Sequence, residues 1–311
     1  MTPTSLSIPR GTLQLAAHLY LPTDFNASRR YAAIVLATPG SSVKEQIGGT
    51  YARKLAGCGF VALTFDPAYQ GQSSGTPRDL ESPAERVADL SYAIDFLDTL
   101  DYVDATRIGA LGLCAGGGYA VSASMTDHRI RALGTVVPVN IGNARRRPLA
   151  SAPDKAIETL DRIAQEVTAE ARGEPPVRQP WIPDTLEDAQ AARITDVDLL
   201  QAVTYYRTAR GHDPHSTNRR HPRSDALMLG YDAFHLADLL LTQPVQVIVG
   251  GASAGTTGSF EDGHTLAGHA RASEPIFTVE GARHYEMYDV PAYVDQAIQQ
   301  LDAFFGQHLG R

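Results

Sequence analysis

Cysteine is nearly absent: Cys58 and Cys114 are the only two in 311 residues. Two cysteines are too few for a disulfide framework, so the fold must rest on its core. No apolar run approaches the roughly 20 residues of a membrane-spanning helix. The first residues, Met1 to Pro9, lack a charged start followed by an apolar stretch, so no secretory leader is expected. Basic excess is lacking too, with 27 Lys and Arg against 35 Asp and Glu and a formal net charge of −8. The short clusters Arg145-Arg146-Arg147 and Arg219-Arg220 read as solvated surface, too short to track a phosphate backbone, which argues against nucleic acid as partner. What remains is ordinary globular composition, 43% hydrophobic and 20% charged. These absences point to a cytoplasmic protein with reduced thiols, in which a cysteine matters for its reactivity.

Strand and helix signals alternate through the first half. Leu13–Leu21 reads as an opening strand region. Buried strands are predicted at 32–37, 60–65, 107–113 and 132–139, with a helix at 51–58 between the first two. Ser82-Pro83-Ala84-Glu85 starts another helix, with an N-cap, a proline at the first helical position and an acid near it. Its apolar face is Val87, Leu90, Ile94 and Leu97. Such alternation predicts an α/β fold with a doubly wound, mostly parallel sheet. The rhythm then breaks until Val245–Val249, across a gap too long for a simple crossover. Helical signals at 157–167 and 197–203 fill that gap. The reading is a core of residues 1–140 and 241–311, with 141–240 inserted as a helical cap. The last strand is expected at 276–279, followed by a helix with Val294, Ile298, Leu301 and Phe305 facing inward.

The chemistry is carried by Gly112-Leu113-Cys114-Ala115-Gly116, an apolar strand running through Gly-x-Cys-x-Gly into a helix. This is the nucleophile-elbow pattern with cysteine in place of serine. Cys114 at a helix N-terminus is expected to have a lowered thiol pKa, and the Ala115 N–H to be one oxyanion donor. The second donor is expected from Ser41 or Ser42, in the loop after the first buried strand. His284, in the loop after the last strand, is the expected general base. The loop after Val249 offers no carboxylate where a triad acid belongs. Asp262 is the first candidate for third member and Asn140 the second, although Ser259 three residues before Asp262 reads as a helix start and favours helix capping as its single role. His212 with His215, and His264 with His269, have metal-like spacings but no thiolates or helical H-E-x-x-H frame, so neither metal nor cofactor is expected. Cys58 reads as a buried apolar residue, and the stretch from Asp66 to Ser73 as a structural loop at the site's edge.

With these residues in place, the chain resembles an α/β-hydrolase of the dienelactone-hydrolase-like group. More narrowly, it resembles the branch of YcjY-type bacterial hydrolases and fungal polyketide transferases or thiohydrolases. The resemblance is carried by Ser42–Gln46, Phe65–Gly71, Gly112–Tyr119, Tyr205–Thr208 and Gly281–Tyr285. It implies Cys114 as nucleophile and His284 as base, but no particular substrate.

Three functions stand open on these grounds. The first is an acyl hydrolase forming an acyl-cysteine from an ester, lactone or thioester. The second is an acyltransferase or cyclase on a polyketide-like or carrier-bound substrate, as in secondary metabolism, with Trp181, Tyr205 and Tyr206 as an apolar lid that excludes water. The third is a binding module that keeps the pocket without the chemistry. Trp181, Tyr205, Tyr206 and Asn140 are the expected substrate contacts. The partners expected are a small-molecule acyl substrate, an acyl carrier protein under the second reading and a second copy of the chain in a homodimer, with no membrane.

Overall fold

Residues 4–20 form a hairpin of two antiparallel strands, β1 (Thr4–Arg10) and β2 (Leu13–Tyr20). Only one side of β1 can reach the core, and Ile8 is its one buried residue. By contrast every residue of β3 (Tyr31–Ala37) and β4 (Val61–Phe65) is buried, as expected of parallel strands covered on both faces. The computed structural model describes residues 2–253 and 257–310. Five further strands are β5 (Val103–Leu113), β6 (Ile130–Val136), β9 (Pro244–Gly250), β10 (Ala272–Ser273) and β11 (Phe277–Val279), while β7 (Gln179–Pro180) and β8 (Arg219–Arg220) make a separate small ribbon. The main sheet runs β1-β2-β4-β3-β5-β6-β9-β10, with β11 also on β9. Pairings are parallel from β4 onward and antiparallel at β1–β2 and β2–β4.

Helices cover both faces, as a βαβ order requires. Against one face lie α1 (Ile47–Gly57) and the last helix, α11 (Pro291–Leu309), which buries Val294, Leu301 and Phe305. Against the other lie α2 (Pro83–Asp98) and α3 (Ala115–Thr126). The start of α2 is as the sequence predicts: the Ser82 hydroxyl accepts from the Glu85 N–H, and Leu90, Ile94 and Leu97 are buried.

Between β6 and β9 the chain leaves the sheet and forms α4 (Ile141–Arg146), α5 (Pro153–Ala171), α6 (Leu186–Ala191), α7 (Val197–Arg207), α8 (Arg223–Leu229) and α9 (Ala237–Leu240). Helix α10 (Ser259–His269) then precedes β10. Strand β6 stops at Val136, short of the predicted Val139, because Val137 takes a left-handed φ of 42°. That bend brings the Val139 N–H to the Cys114 carbonyl at 2.9 Å. The expected apolar face of α5 is not fully covered: Ile163 is buried, but Ile157 is 59% exposed.

Candidate active site

Strand β5 lies between β3 and β6 and delivers Cys114 at its C-terminal end, where ligands gather in open α/β sheets. Cys114 has φ 55° and ψ −124°, a strained conformation for a residue with a side chain. Glycine is required on either side because the backbone closes in. A Cβ on Gly112 would strike Gly117, and one on Gly116 would strike the Ala37 carbonyl. The turn thus aims the Cys114 side chain away from the sheet, into a cavity of about 540 Å³.

Cys114, Ala115, Ser41, His284, Trp181 and Tyr206 all line that cavity. The Ala115 N–H acts on the Cys114 thiol, favouring its ionised form. Ser41 has a left-handed φ of 62°. The Ser42 N–H is bound to the Pro39 carbonyl at 3.3 Å and its hydroxyl to Gln46, so Ser42 is not the free donor the sequence allowed; Ser41 keeps that place. The loop carrying Ser41 is held from beneath. Buried Asp66 accepts from the Lys44 N–H at 2.8 Å and the Lys44 ammonium at 3.0 Å. Arg86 donates to the carbonyls of Thr38 and Pro39.

His284 is fully buried. Its Nδ1 meets the hydroxyls of Ser259 at 2.9 Å and Thr257 at 3.3 Å. Its Nε2 meets the Tyr288 hydroxyl at 3.2 Å. The Tyr288 hydroxyl also acts on the Cys114 thiol, favouring its ionised form, so Tyr288 stands between thiol and imidazole. Tyr205, Tyr206, Tyr285 and Tyr288 pack edge-to-face around this point. Burial pushes the Cys114 thiol up to about 11, opposed in part by Tyr288 and Ala115. Burial likewise pushes His284 down to about 3. The lowered thiol pKa expected from the helix N-terminus is therefore overturned. Desolvation outweighs the helix dipole, and both groups rest neutral at pH 7.

Neither candidate third member reaches the imidazole. Asp262 accepts from the Asn140 N–H at 2.8 Å and the Asn143 amide at 2.9 Å. Asn140 gives its amide to Asp232 at 2.7 Å and caps α4. Asn140 also stands outside the cavity wall, as does Tyr205, which instead backs Tyr206 and Tyr288. Among the described residues no carboxylate hydrogen-bonds His284. The acids that follow it are engaged elsewhere: Glu286 accepts from the Arg283 N–H, and Asp289 pairs with Arg210.

Other expectations are corrected as well. Arg145 lines the cavity, part-buried, on the same side of α4 as Ile141 and Ala144, whereas Arg147 is exposed at the cavity's edge, as expected of surface. Arg146 is tied to the Leu229 and Tyr231 carbonyls. Arg219 pairs with Asp184, and Arg220 with Asp225. Cys58 is half-buried at the end of α1. Tyr288, Ser259, Thr257 and Arg145 went unassigned in sequence reasoning. Tyr288 stands four residues after His284, a spacing that could have suggested a shared face.

The match to known proteins agrees with this geometry. Residues 15–156 match the dienelactone hydrolase family. Uncharacterized protein YcjY of Escherichia coli K12 is 42% identical over 96% of this chain and 95% of its own length. The chain belongs to the dienelactone-hydrolase-like α/β-hydrolases, in the YcjY branch. The crystal structure of the hypothetical protein PA2218 from Pseudomonas aeruginosa superposes with a TM-score of 0.88 at 28% identity, over 98% of this chain and 93% of that one. A Thiohydrolase of Eupenicillium brefeldianum is 32% identical over 49% of this chain and 47% of its own. These relatives support a hydrolytic or acyl-transfer enzyme.

Proposed function

We propose that the protein is an acyl hydrolase working through an acyl-cysteine on Cys114, with a thioester or activated ester as substrate. The observation that carries this reading is that Cys114, His284 and Tyr288 meet in one cavity, with the Tyr288 hydroxyl 3.2 Å from His284 Nε2. In the resting site His284 holds its proton on Nδ1, facing Ser259, and Nε2 accepts from Tyr288. Full transfer of the thiol proton before attack would span the gap from about 11 to about 3, roughly 11 kcal/mol at 1.36 kcal/mol per unit before ion-pair attraction offsets it. Transfer is therefore coupled to C–S bond formation. As sulfur attacks the carbonyl carbon, its proton passes to the Tyr288 oxygen and the Tyr288 proton to Nε2. The carbonyl π pair moves onto oxygen, held by the Ala115 and Ser41 N–H groups. Collapse expels the leaving group, which takes the Nε2 proton. Water then attacks the acyl-cysteine, giving its proton to His284, and the acid departs as the thiol re-forms.

The relative from Eupenicillium brefeldianum is a thiohydrolase by name, which favours a thioester for this chain. Acyl transfer would use the same acyl-cysteine with an alcohol or amine in place of water. The walls of Trp181, Ile182, Leu199 and Tyr206 favour it to the extent that they exclude water. Incubation with a panel of thioesters, esters and lactones, followed by intact mass, tests the reading. An adduct on Cys114 that is absent from Cys114→Ala is the expected result; full turnover by Cys114→Ala would overturn it.

A further inference from the structure

Among the described residues, the Arg145 guanidinium in the wall of the cavity has no hydrogen-bond partner. Its Nε is buried with no partner, although a guanidinium offers five N–H donors. The nearest carboxylate, Asp225, is 4.0 Å away and is already bonded to Arg220 Nε at 2.8 Å. Arg145 lies instead over the Trp181 ring, 5.1 Å from its centroid, with Arg220 5.6 Å from the same ring. Two arginines and one aspartate leave a positive charge uncompensated at this wall. Burial and repulsion from Arg220 both disfavour the Arg145 cation as the site stands. The other charged residue on the wall is Arg147; among the described residues no Asp or Glu lines the cavity. This is a local reversal in a chain of net charge −8. A charged donor group left without partners is costly, and the side chain is 28% exposed, so its remaining N–H groups can meet a ligand in the cavity.

We propose that Arg145, stacked on Trp181, is an anion subsite, and that the acyl substrate carries a negatively charged group that it reads. A guanidinium suits carboxylate and phosphate alike. The anion can belong to the acyl chain, as in a half-ester of a dicarboxylic acid, or to the leaving group, as in a phosphopantetheine thioester. The inference deepens the proposed function and rests on it for the word substrate, but its test needs no turnover.

Trp181 is the sole tryptophan of the chain, so its emission reports on this site alone. Glutarate, its neutral counterpart glutaramide, and phosphopantetheine are titrated into the wild type, Cys114→Ala, Arg145→Gln and Arg145→Lys, each checked by far-UV circular dichroism. The expected result is saturable change with at least one anion and none with glutaramide. Affinity should fall at least tenfold in Arg145→Gln and recover in part in Arg145→Lys. Tighter binding of glutarate would place the charge on the acyl side, and of phosphopantetheine on the leaving group. Equal response to glutarate and glutaramide, no response to either anion, or unchanged binding by Arg145→Gln would overturn the proposal. Binding that persists in Cys114→Ala while no thioester is ever cleaved would sink the hydrolase reading and leave the subsite standing.

Discussion

His284 Nδ1 lies 2.9 Å from the Ser259 hydroxyl, on the side of the imidazole where a triad carboxylate would otherwise stand. A hydroxyl can fix the tautomer and the ring's orientation. It cannot neutralise the imidazolium that forms during attack, which an aspartate would do. The proposed chemistry therefore leans on the oxyanion donors and on a leaving group that is easily displaced.

Ser259→Ala should lower kcat about fivefold, the worth of one neutral hydrogen bond of about 1 kcal/mol, with KM nearly unchanged. Thr257, at 3.3 Å, keeps partial hold of Nδ1, so Thr257→Val in the same background should deepen the loss. Steady-state kinetics on a thioester checks both. A Ser259→Ala enzyme as fast as the wild type would remove the hydroxyl from the mechanism.

Tyr288→Phe keeps the ring in its aromatic cluster and deletes the hydroxyl between sulfur and Nε2. The acylation rate should drop by a hundredfold or more, the usual worth of positioned proton transfer. A proton inventory in mixed light and heavy water should bow in the wild type, with two protons in flight, and straighten in the variant. Identical inventories would reduce Tyr288 to a packing role.

A thiol pushed up to about 11 is ionised in roughly one molecule in ten thousand at pH 7. Alkylation of Cys114 by iodoacetamide should accordingly be slow at pH 7 and rise close to tenfold per pH unit up to about 11. Peptide mapping separates it from Cys58. A plateau near pH 7 would mean a preformed thiolate.

Stability should fall on both sides of neutrality. His284 stays neutral in the fold down to about 3, whereas the unfolded chain binds its proton from about 6.5. Its contribution is intact above that value and is lost as pH falls toward 3. The Cys114 thiol stays protonated to about 11, above its ordinary value of 9.0, so stability is lost as pH rises across that interval. Thermal melts of the wild type and Cys114→Ala should differ in slope only on the alkaline side.

Lys44 and Asp66 are an ion pair with side-chain exposures of 2% and 0%. Lys44→Met leaves Asp66 buried without its cation and should cost about 3–5 kcal/mol. Because Lys44 also anchors the loop that holds Ser41, activity should be lost below the melting temperature too.

The sheet was legible because its strands are continuous apolar runs bounded by Pro39, Gly59 and the Gly-x-Cys-x-Gly turn. Cys114, Ala115 and His284 were legible because the elbow and the last loop have fixed places along the chain. The partner of His284 was not. A hydroxyl at 259 looks like any helix start, and its meeting with residue 284 depends on how α10 packs against β9. The charge of Cys114 was misjudged because helix polarity can be read from sequence, whereas the tyrosines that desolvate the thiol come from two distant stretches. Arg145 looked like surface because it sits in a run of three arginines, and only the turn of α4 separates their surroundings.

The proposed nucleophile, base and relay come from the ends of β5 and β11, while Arg145, Trp181 and Tyr206 come from the stretch between β6 and β9. How a bond is cut and which molecule is admitted are thus written in separate passages of the chain. Sequence drift in the second can retune selectivity while the first stays untouched, so two descendants of one ancestor could keep identical chemistry and yet share no common nutrient, toxin or metabolite.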